Sequence, residues 1–337
     1  MYPIMNFNKM MFMFVLIFST LISISSNSWI GTWIGLEINL LSFIPLISNL
    51  NNMMSSEASL KYFLTQSIAS INLLFFILMN MILFKNFEMN NKMSIFINST
   101  LLMKMGSVPF HLWFPNIIEG LSWLNCFILM TWQKITPMIL LSYYFNKMFL
   151  IVIMILNTII GAISGLNQTS LRKLMAFSSI NNLGWMLSTI LISENLWMFY
   201  FVMYSFLVSI MCFLFNMFNM FFINQLFIVN MNYLIKMSFF INFLSLAGLP
   251  PFIGFFPKWI VINSFMLNKF YLIMLIFVMS SLIMLFFYIR IIYSSIMFNY
   301  MKLKWFNFYL KNNLFIMNTF IMMISLLGMI LSTLFFI

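Results

Sequence analysis

At 337 residues, 64% hydrophobic and 6% charged, the chain lacks the polar surface of a water-soluble globule, in which about a quarter of residues are charged. Its net charge of +11 comes from Lys and Arg strewn singly between apolar runs, which excludes the basic stripe of a nucleic-acid interface and leaves orientation in a membrane as the explanation. Runs with no polar residue, such as Met148 to Leu156, exclude the alternation of a β-barrel, so the spans must be helices of about 20 residues, and the length allows about ten to twelve.

Breaks at polar and charged clusters predict eleven spans, near 9–26, 29–50, 57–84, 92–107, 120–145, 148–167, 171–191, 194–222, 236–262, 270–298 and 313–336. The first ends at Ser25-Ser26-Asn27-Ser28 without an Ala-x-Ala cleavage pattern and reads as a span, not a removed signal. The second carries Glu37. The fourth is interrupted by Gly106-Ser107-Val108-Pro109-Phe110-His111-Leu112-Trp113-Phe114-Pro115, with Lys104 just before the break. The fifth holds Lys134 near its middle, with Pro137 loosening the helix after it. The seventh has Ser178, Ser179, Asn181 and Asn182 at its centre. The ninth is interrupted by Gly248-Leu249-Pro250-Pro251-Phe252-Ile253-Gly254-Phe255-Phe256-Pro257, followed at once by Lys258.

The two interruptions share the pattern G-x-x-P-F-x-x-x-F-P. The copies fall in the fourth and ninth spans, a step of five helices, and an odd step reverses direction, so the copies run antiparallel. Inverted repeats with broken helices are the architecture of secondary transporters, where irregular backbone lines a polar cavity. The expected fold is therefore an all-α polytopic membrane protein of about eleven transmembrane helices, two of them interrupted, forming an inverted five-helix repeat. It is read as one membrane domain over 1–337, with repeat one at about 9–145, repeat two at about 148–298 and a C-terminal helix at about 313–336.

A charge at a helix centre costs about 2.5 to 3.5 kcal/mol on insertion scales. Glu37, Lys104, Lys134 and Lys258 are thus the candidates for a proton path, in which each site's proton affinity depends on the charge of the others. Lys61, Lys92 and Lys236 fit snorkelling near helix ends. His111, the only histidine, and Asn182 are further candidates; a single histidine excludes bis-histidine haem ligation and histidine metal clusters. Cys126 and Cys212 fall inside spans and read as small buried hydrophobes. Glu119 and Glu194 lie at predicted loops or helix starts, where the N-terminal dipole favours a carboxylate, and read as structural. Neither a glycine-rich phosphate loop nor a nucleophile with its base is present, so no cofactor and no covalent chemistry are expected of this chain.

Phe (44) and Met (36) are heavily used while Arg falls to two and Asp is absent, the shadow of an AT-rich genome in which a second codon reads as Met, as in mitochondria. A start on the matrix side puts Lys9, Arg172, Lys173, Lys236, Lys302, Lys304 and Lys311 there, against Lys85, Lys92, Lys147 and Lys269 opposite, which the positive-inside rule favours.

Several segments, in order, resemble one family. They are Trp33-Ile34-Gly35-Leu36-Glu37, Ser56 to Gln66, Lys104 to Trp113, Thr131 to Pro137, Gly165 to Lys173, Ser178 to Trp185 and Gly248 to Trp259. The family is the antiporter-like membrane subunits of mitochondrial NADH:ubiquinone oxidoreductase, respiratory complex I, in a form most similar to insect versions. The resemblance implies a shortened subunit in which Glu37 and Lys104 form a coupling pair, Lys134 is the central relay and Lys258 communicates with a neighbouring pump subunit. Many relatives have histidine where Asn182 stands, and an amide takes up no proton near neutral pH. It further implies a multi-pass protein of the mitochondrial inner membrane, with FMN, iron–sulfur clusters and ubiquinone in other subunits. Expected partners are other membrane-arm subunits, among them neighbouring antiporter-like ones, and lipids such as cardiolipin. The rival readings are a stand-alone cation/proton antiporter of the same fold, and a structural scaffold in which the buried lysines are dispensable.

Overall fold

A computed structural model describes residues 7–49, 52–83, 91–228, 233–297 and 312–333. Helices are α1 Phe7–Ser25, α2 Trp29–Ile47, α3 Met53–Leu83, α4 Asn91–Met105, α5 Trp113–Gly120, α6 Trp123–Met130, α7 Trp132–Tyr143, α8 Lys147–Gly165, α9 Leu171–Ile190, α10 Glu194–Phe218, α11 Ile223–Ile228, α12 Tyr233–Ala247, α13 Phe255–Leu267, α14 Tyr271–Met297 and α15 Asn312–Thr333. Each predicted span contains helix, and the only extended pairing among the described residues is a single bridge between Ser170 and Phe222. Of the charges used to orient the chain, Lys85, Lys302, Lys304 and Lys311 lie outside the described residues.

Among the described residues α1, α2, α3, α8, α10 and α14, and α6 with α7 taken as one stretch, are long and apolar enough to cross a membrane. The elements that fall short do so because they carry the polar residues and the breaks: α4, α12 and α13 are half-helices, and α9 has Ser178, Ser179, Asn181 and Asn182 at its centre. In a hydrocarbon core every backbone donor and acceptor must find a partner within the protein. Helical serines and threonines solve their own problem by donating back to a carbonyl three residues earlier, as Ser19 does to Leu16 at 2.8 Å and Ser188 to Trp185 at 2.6 Å. Ser28 and Ser193 cap α2 and α10, accepting from the amides of Gly31 and Leu196.

The chain divides into two compact units, Met1–Ile153 and Met154–Ile337, the boundary falling within α8. In the first, α3 packs against α2, α4 and α5, while α7 lies against α4 and α1. Trp33 donates from α2 to the Ser70 carbonyl of α3 at 3.1 Å, and Asn125 of α6 to the Leu46 carbonyl of α2 at 2.9 Å. In the second unit α9 is the axis, buried at every position from Leu174 to Ile190. Also packed there are α10, α11, α12, α13, α14 and α15. Asn181 ties α9 to the Thr158 carbonyl at 2.9 Å, and Asn318 of α15 donates to Ser238 of α12 at 3.0 Å.

Two departures from the sequence reading bear on the site. The fifth predicted span is not continuous: Thr131 (φ −118°, ψ −72°) separates α6 from α7, three residues before Lys134. The residues after the first break form an extra half-helix, α5, so Glu119 sits at a helix C-terminal end and not at a start. The other acid, Glu194, does occupy the first turn of α10.

Candidate functional site

Both predicted breaks are built the same way. At the end of α4, Gly106 takes φ +72°, its amide donates to the Met103 carbonyl and that of Ser107 to Leu102. At the end of α12, Gly248 takes φ +82°, its amide donates to the Ser245 carbonyl and that of Leu249 to Leu244. This pair of crossed bonds around a left-handed glycine closes a helix end. Side chains also donate to carbonyls at the end of α4. Trp113 Nε1 reaches Met103 O at 3.2 Å, and Gln66 Nε2 reaches Lys104 O at 3.3 Å. A side chain at Gly106 would also strike Phe114, whose Cβ lies 2.9 Å from where the new carbon would sit.

Each break holds a buried lysine at the C-terminal end of the helix before it, where the dipole favours a cation. Lys104 stands in the last turn of α4 itself and is 7% exposed. Lys258, from α13, reaches back so that its Nζ donates to the Ala247 carbonyl at 2.7 Å. Aromatic faces support the charges further. Lys134 Nζ lies 5.0 Å from the centre of the Phe114 ring, and Lys258 Nζ lies 5.6 Å from that of Trp185.

Lys104 and Lys134 open on one cavity in the first unit, with about 20 Å³ of room for water centres. A single water needs about 10 to 15 Å³ by that measure. Its polar wall is Asn39, Gln66, Gln133 and Thr136. Gln133 Nε2 donates to Asn39 Oδ1 at 2.9 Å, bridging α7 and α2, whereas the buried Thr136 hydroxyl makes no hydrogen bond to the described protein atoms. Gln66, Gln133 and Thr136 were not singled out from the sequence, where charges ranked first and the neutral polar residues noted were those at the centre of the seventh span. The Thr131 interruption places Lys134 in the first turn of α7.

The other candidates fall elsewhere. Glu37 is half-buried on α2 and makes no salt bridge with Lys104, although its field reaches that ammonium. His111 is half-exposed in the first break, Nδ1 3.3 Å from the Pro109 carbonyl, and does not line the cavity. Asn182 is buried in the second unit, its Oδ1 accepting from the Tyr200 hydroxyl at 3.2 Å. Lys61 is exposed and pairs with Glu57 at 2.6 Å. Lys236, expected to snorkel, is instead 9% exposed in the first turn of α12, where it lines a pocket with Phe239, Phe243 and Ser295. The side chain of Lys92 lies outside the described residues. Cys126 and Cys212 are buried and form no disulfide, and among the described residues no cluster of three or more His, Cys, Asp or Glu could hold a metal.

Broken helices with buried lysines at their ends define an antiporter-like membrane protein. Residues 26–284 match the family described as NADH:quinone oxidoreductase/Mrp antiporter, transmembrane. NADH-ubiquinone oxidoreductase chain 2 of Anopheles gambiae is 53% identical over 87% of this chain and 87% of that protein. The protein of the same name from Aedes aegypti is 51% identical over 97% of both. The chain belongs to the NADH-ubiquinone oxidoreductase chain 2 branch of that antiporter-like family. Its fold is shared with a chain of respiratory complex I from Thermus thermophilus (TM-score 0.78, 17% identity, 96% of this chain and 78% of that one). It is also shared with a chain of the Mrp complex from Dietzia (TM-score 0.74, 16% identity, 83% and 59%).

Proposed function

We propose that this chain is a membrane-arm subunit of respiratory complex I in the mitochondrial inner membrane, where it contributes a proton-translocation channel coupled to ubiquinone reduction in other subunits. The observation that carries the channel is the shared cavity of Lys104 and Lys134. Two buried lysines facing one water-sized polar space can hand a proton across it when one is ammonium and the other a neutral amine, and a charge on either makes a charge on the other less favourable. Glu37 offsets that repulsion at Lys104 from a distance. Lys258 holds the corresponding place in the second break, which has the same G-x-x-P-F-x-x-x-F-P pattern as the first. His111 and Asn182 then stand beside the path as hydrogen-bonding groups.

Electrons would pass from NADH to ubiquinone through FMN and iron–sulfur clusters held by other subunits, with no redox step in this chain. The apolar faces left exposed, such as Phe14, Phe18 and Leu21 of α1, suit neighbouring membrane-arm subunits and lipids including cardiolipin. The experiment is Lys134→Met in the assembled complex, reconstituted into vesicles. Proton translocation and coupled quinone reduction should fall together; a normal proton-to-electron ratio at normal rate would sink the reading. A stand-alone antiporter predicts instead that the chain purifies without iron–sulfur subunits and exchanges cations alone.

A further inference from the structure

Three tyrosine hydroxyls lie in the interior of the second unit, which carries few ionisable groups. Tyr200, Tyr204 and Tyr288 are 3%, 4% and 0% exposed. A hydroxyl so placed is expensive without a hydrogen-bonding role, because phenylalanine fills the same space without desolvating a polar atom. Their partners lie along α9. Ser178, Asn182 and Trp185 follow one another at helical spacing and so share a face, with Ser179 beside them. Tyr200 donates to Asn182 Oδ1 at 3.2 Å, and Tyr204 is hydrogen-bonded to Ser179. Tyr288 is turned toward Ser178 but stops short of a full hydrogen bond. The hydroxyls are also electrostatic neighbours of one another, Tyr200 of Tyr204 and Tyr204 of Tyr288.

The row has an ammonium group beyond each end. Trp185, one turn past Asn182, is the ring over which Lys258 sits. At the other end the Tyr288 ring packs on Phe243, centres 5.4 Å apart, and Phe243 lines the cavity that holds Lys236. From Ser178 to Trp185 is about 10 Å along the helix axis.

We propose that Tyr200, Tyr204 and Tyr288, with Ser178 and Ser179, form a hydroxyl relay that carries protons through the second unit between the surroundings of Lys258 and those of Lys236. The relay rests on the proton-channel reading above. In each transfer a hydroxyl oxygen accepts a proton from one neighbour as its own O–H bond breaks toward the next. One proton enters and one leaves, and no electron moves. The serines now donate to the carbonyls of Met175 and Ala176, at 2.8 and 2.7 Å, which leaves their lone pairs to accept from the tyrosines. In the relay each hydroxyl turns about its C–O bond from its resting acceptor toward the next oxygen. Asn182 is a positioning residue that fixes the Tyr200 hydroxyl through its oxygen.

The test uses the whole complex in vesicles carrying Tyr200→Phe, Tyr204→Phe or Tyr288→Phe, with Lys258→Met as reference and Tyr271→Phe, on an exposed ring, as control. Each relay variant should slow coupled proton translocation about tenfold and enlarge its solvent isotope effect, since one transfer-step hydrogen bond is lost. Tyr271→Phe should match the parent. Should a tyrosine variant fail to assemble, Ser179→Ala leaves every ring in place and should show the same slowing. If all relay variants, Ser179→Ala included, stay within about twofold of the parent with unchanged isotope effects while Lys258→Met blocks transport, the relay is wrong and the lysine path stands. If Lys258→Met is silent as well, the channel reading fails and takes the relay with it.

Discussion

The two helix breaks reach one electrostatic arrangement by different routes. At the first, the lysine belongs to the helix that ends: Lys104 lies in the last turn of α4, and Gly106 is crowded by the Cβ of Phe114. At the second, the lysine arrives from the helix that begins: Lys258 of α13 folds back onto the Ala247 carbonyl, and the atoms crowding Gly248 are the far end of that same side chain, Cδ at 2.8 Å and Nζ at 3.0 Å. The backbone closure is common to both, while the position of the cation along the chain is not. What the two halves hold in common is a place for a charge at a helix C-terminus, reachable from either side of the break.

The sharpest way to separate proton carrier from charge staple is to replace each lysine with arginine, which keeps the charge but gives up no proton. Lys104→Arg and Lys258→Arg should each lower proton transport by about a hundredfold, the scale of a lost acid–base group. Normal proton-to-electron ratios in both variants would leave the lysines as fixed charges.

A smaller effect distinguishes the backbones. Alanine at either glycine must adopt a left-handed conformation at about 1 to 2 kcal/mol. Gly106→Ala adds a clash with a Cβ that cannot move without its helix, worth about 1 to 3 kcal/mol more, whereas Lys258 can swing away from Gly248→Ala. The first variant should therefore lose more thermal stability of the assembled complex, and equal losses would break the distinction.

The cycle formed by Glu37→Gln, Lys104→Met and the double change should give a coupling energy below about 1 kcal/mol in transport rates, because no salt bridge joins the two groups. A larger value would mean that they meet during turnover. Smallest of all, Lys61→Ala removes an exposed pair with Glu57 and should cost about 0.5 kcal/mol or less, with unchanged transport.

Much of this was legible in one dimension. Helices followed from apolar composition, because backbone without water must bond to itself within each span. The breaks at Gly106 and Gly248 followed from local rules, since a left-handed glycine and a proline without an amide donor act on their immediate neighbours. Lys104, Lys134 and Lys258 stood out because a charge inside a span is costly wherever the span goes. Tertiary structure alone decided that Lys104 and Lys134 share a cavity, that Glu37 pairs with neither, that Lys236 is buried, and that Tyr200, Tyr204 and Tyr288 are buried, with Tyr200 on Asn182 of α9. The reason is physical: a helix surrounded by lipid and by other apolar helices is hydrophobic on every side, so its sequence carries little record of which face turns inward. Rotation about the helix axis is set by packing between residues far apart in the chain, as where Gln133 meets Asn39, and only the folded molecule contains that information.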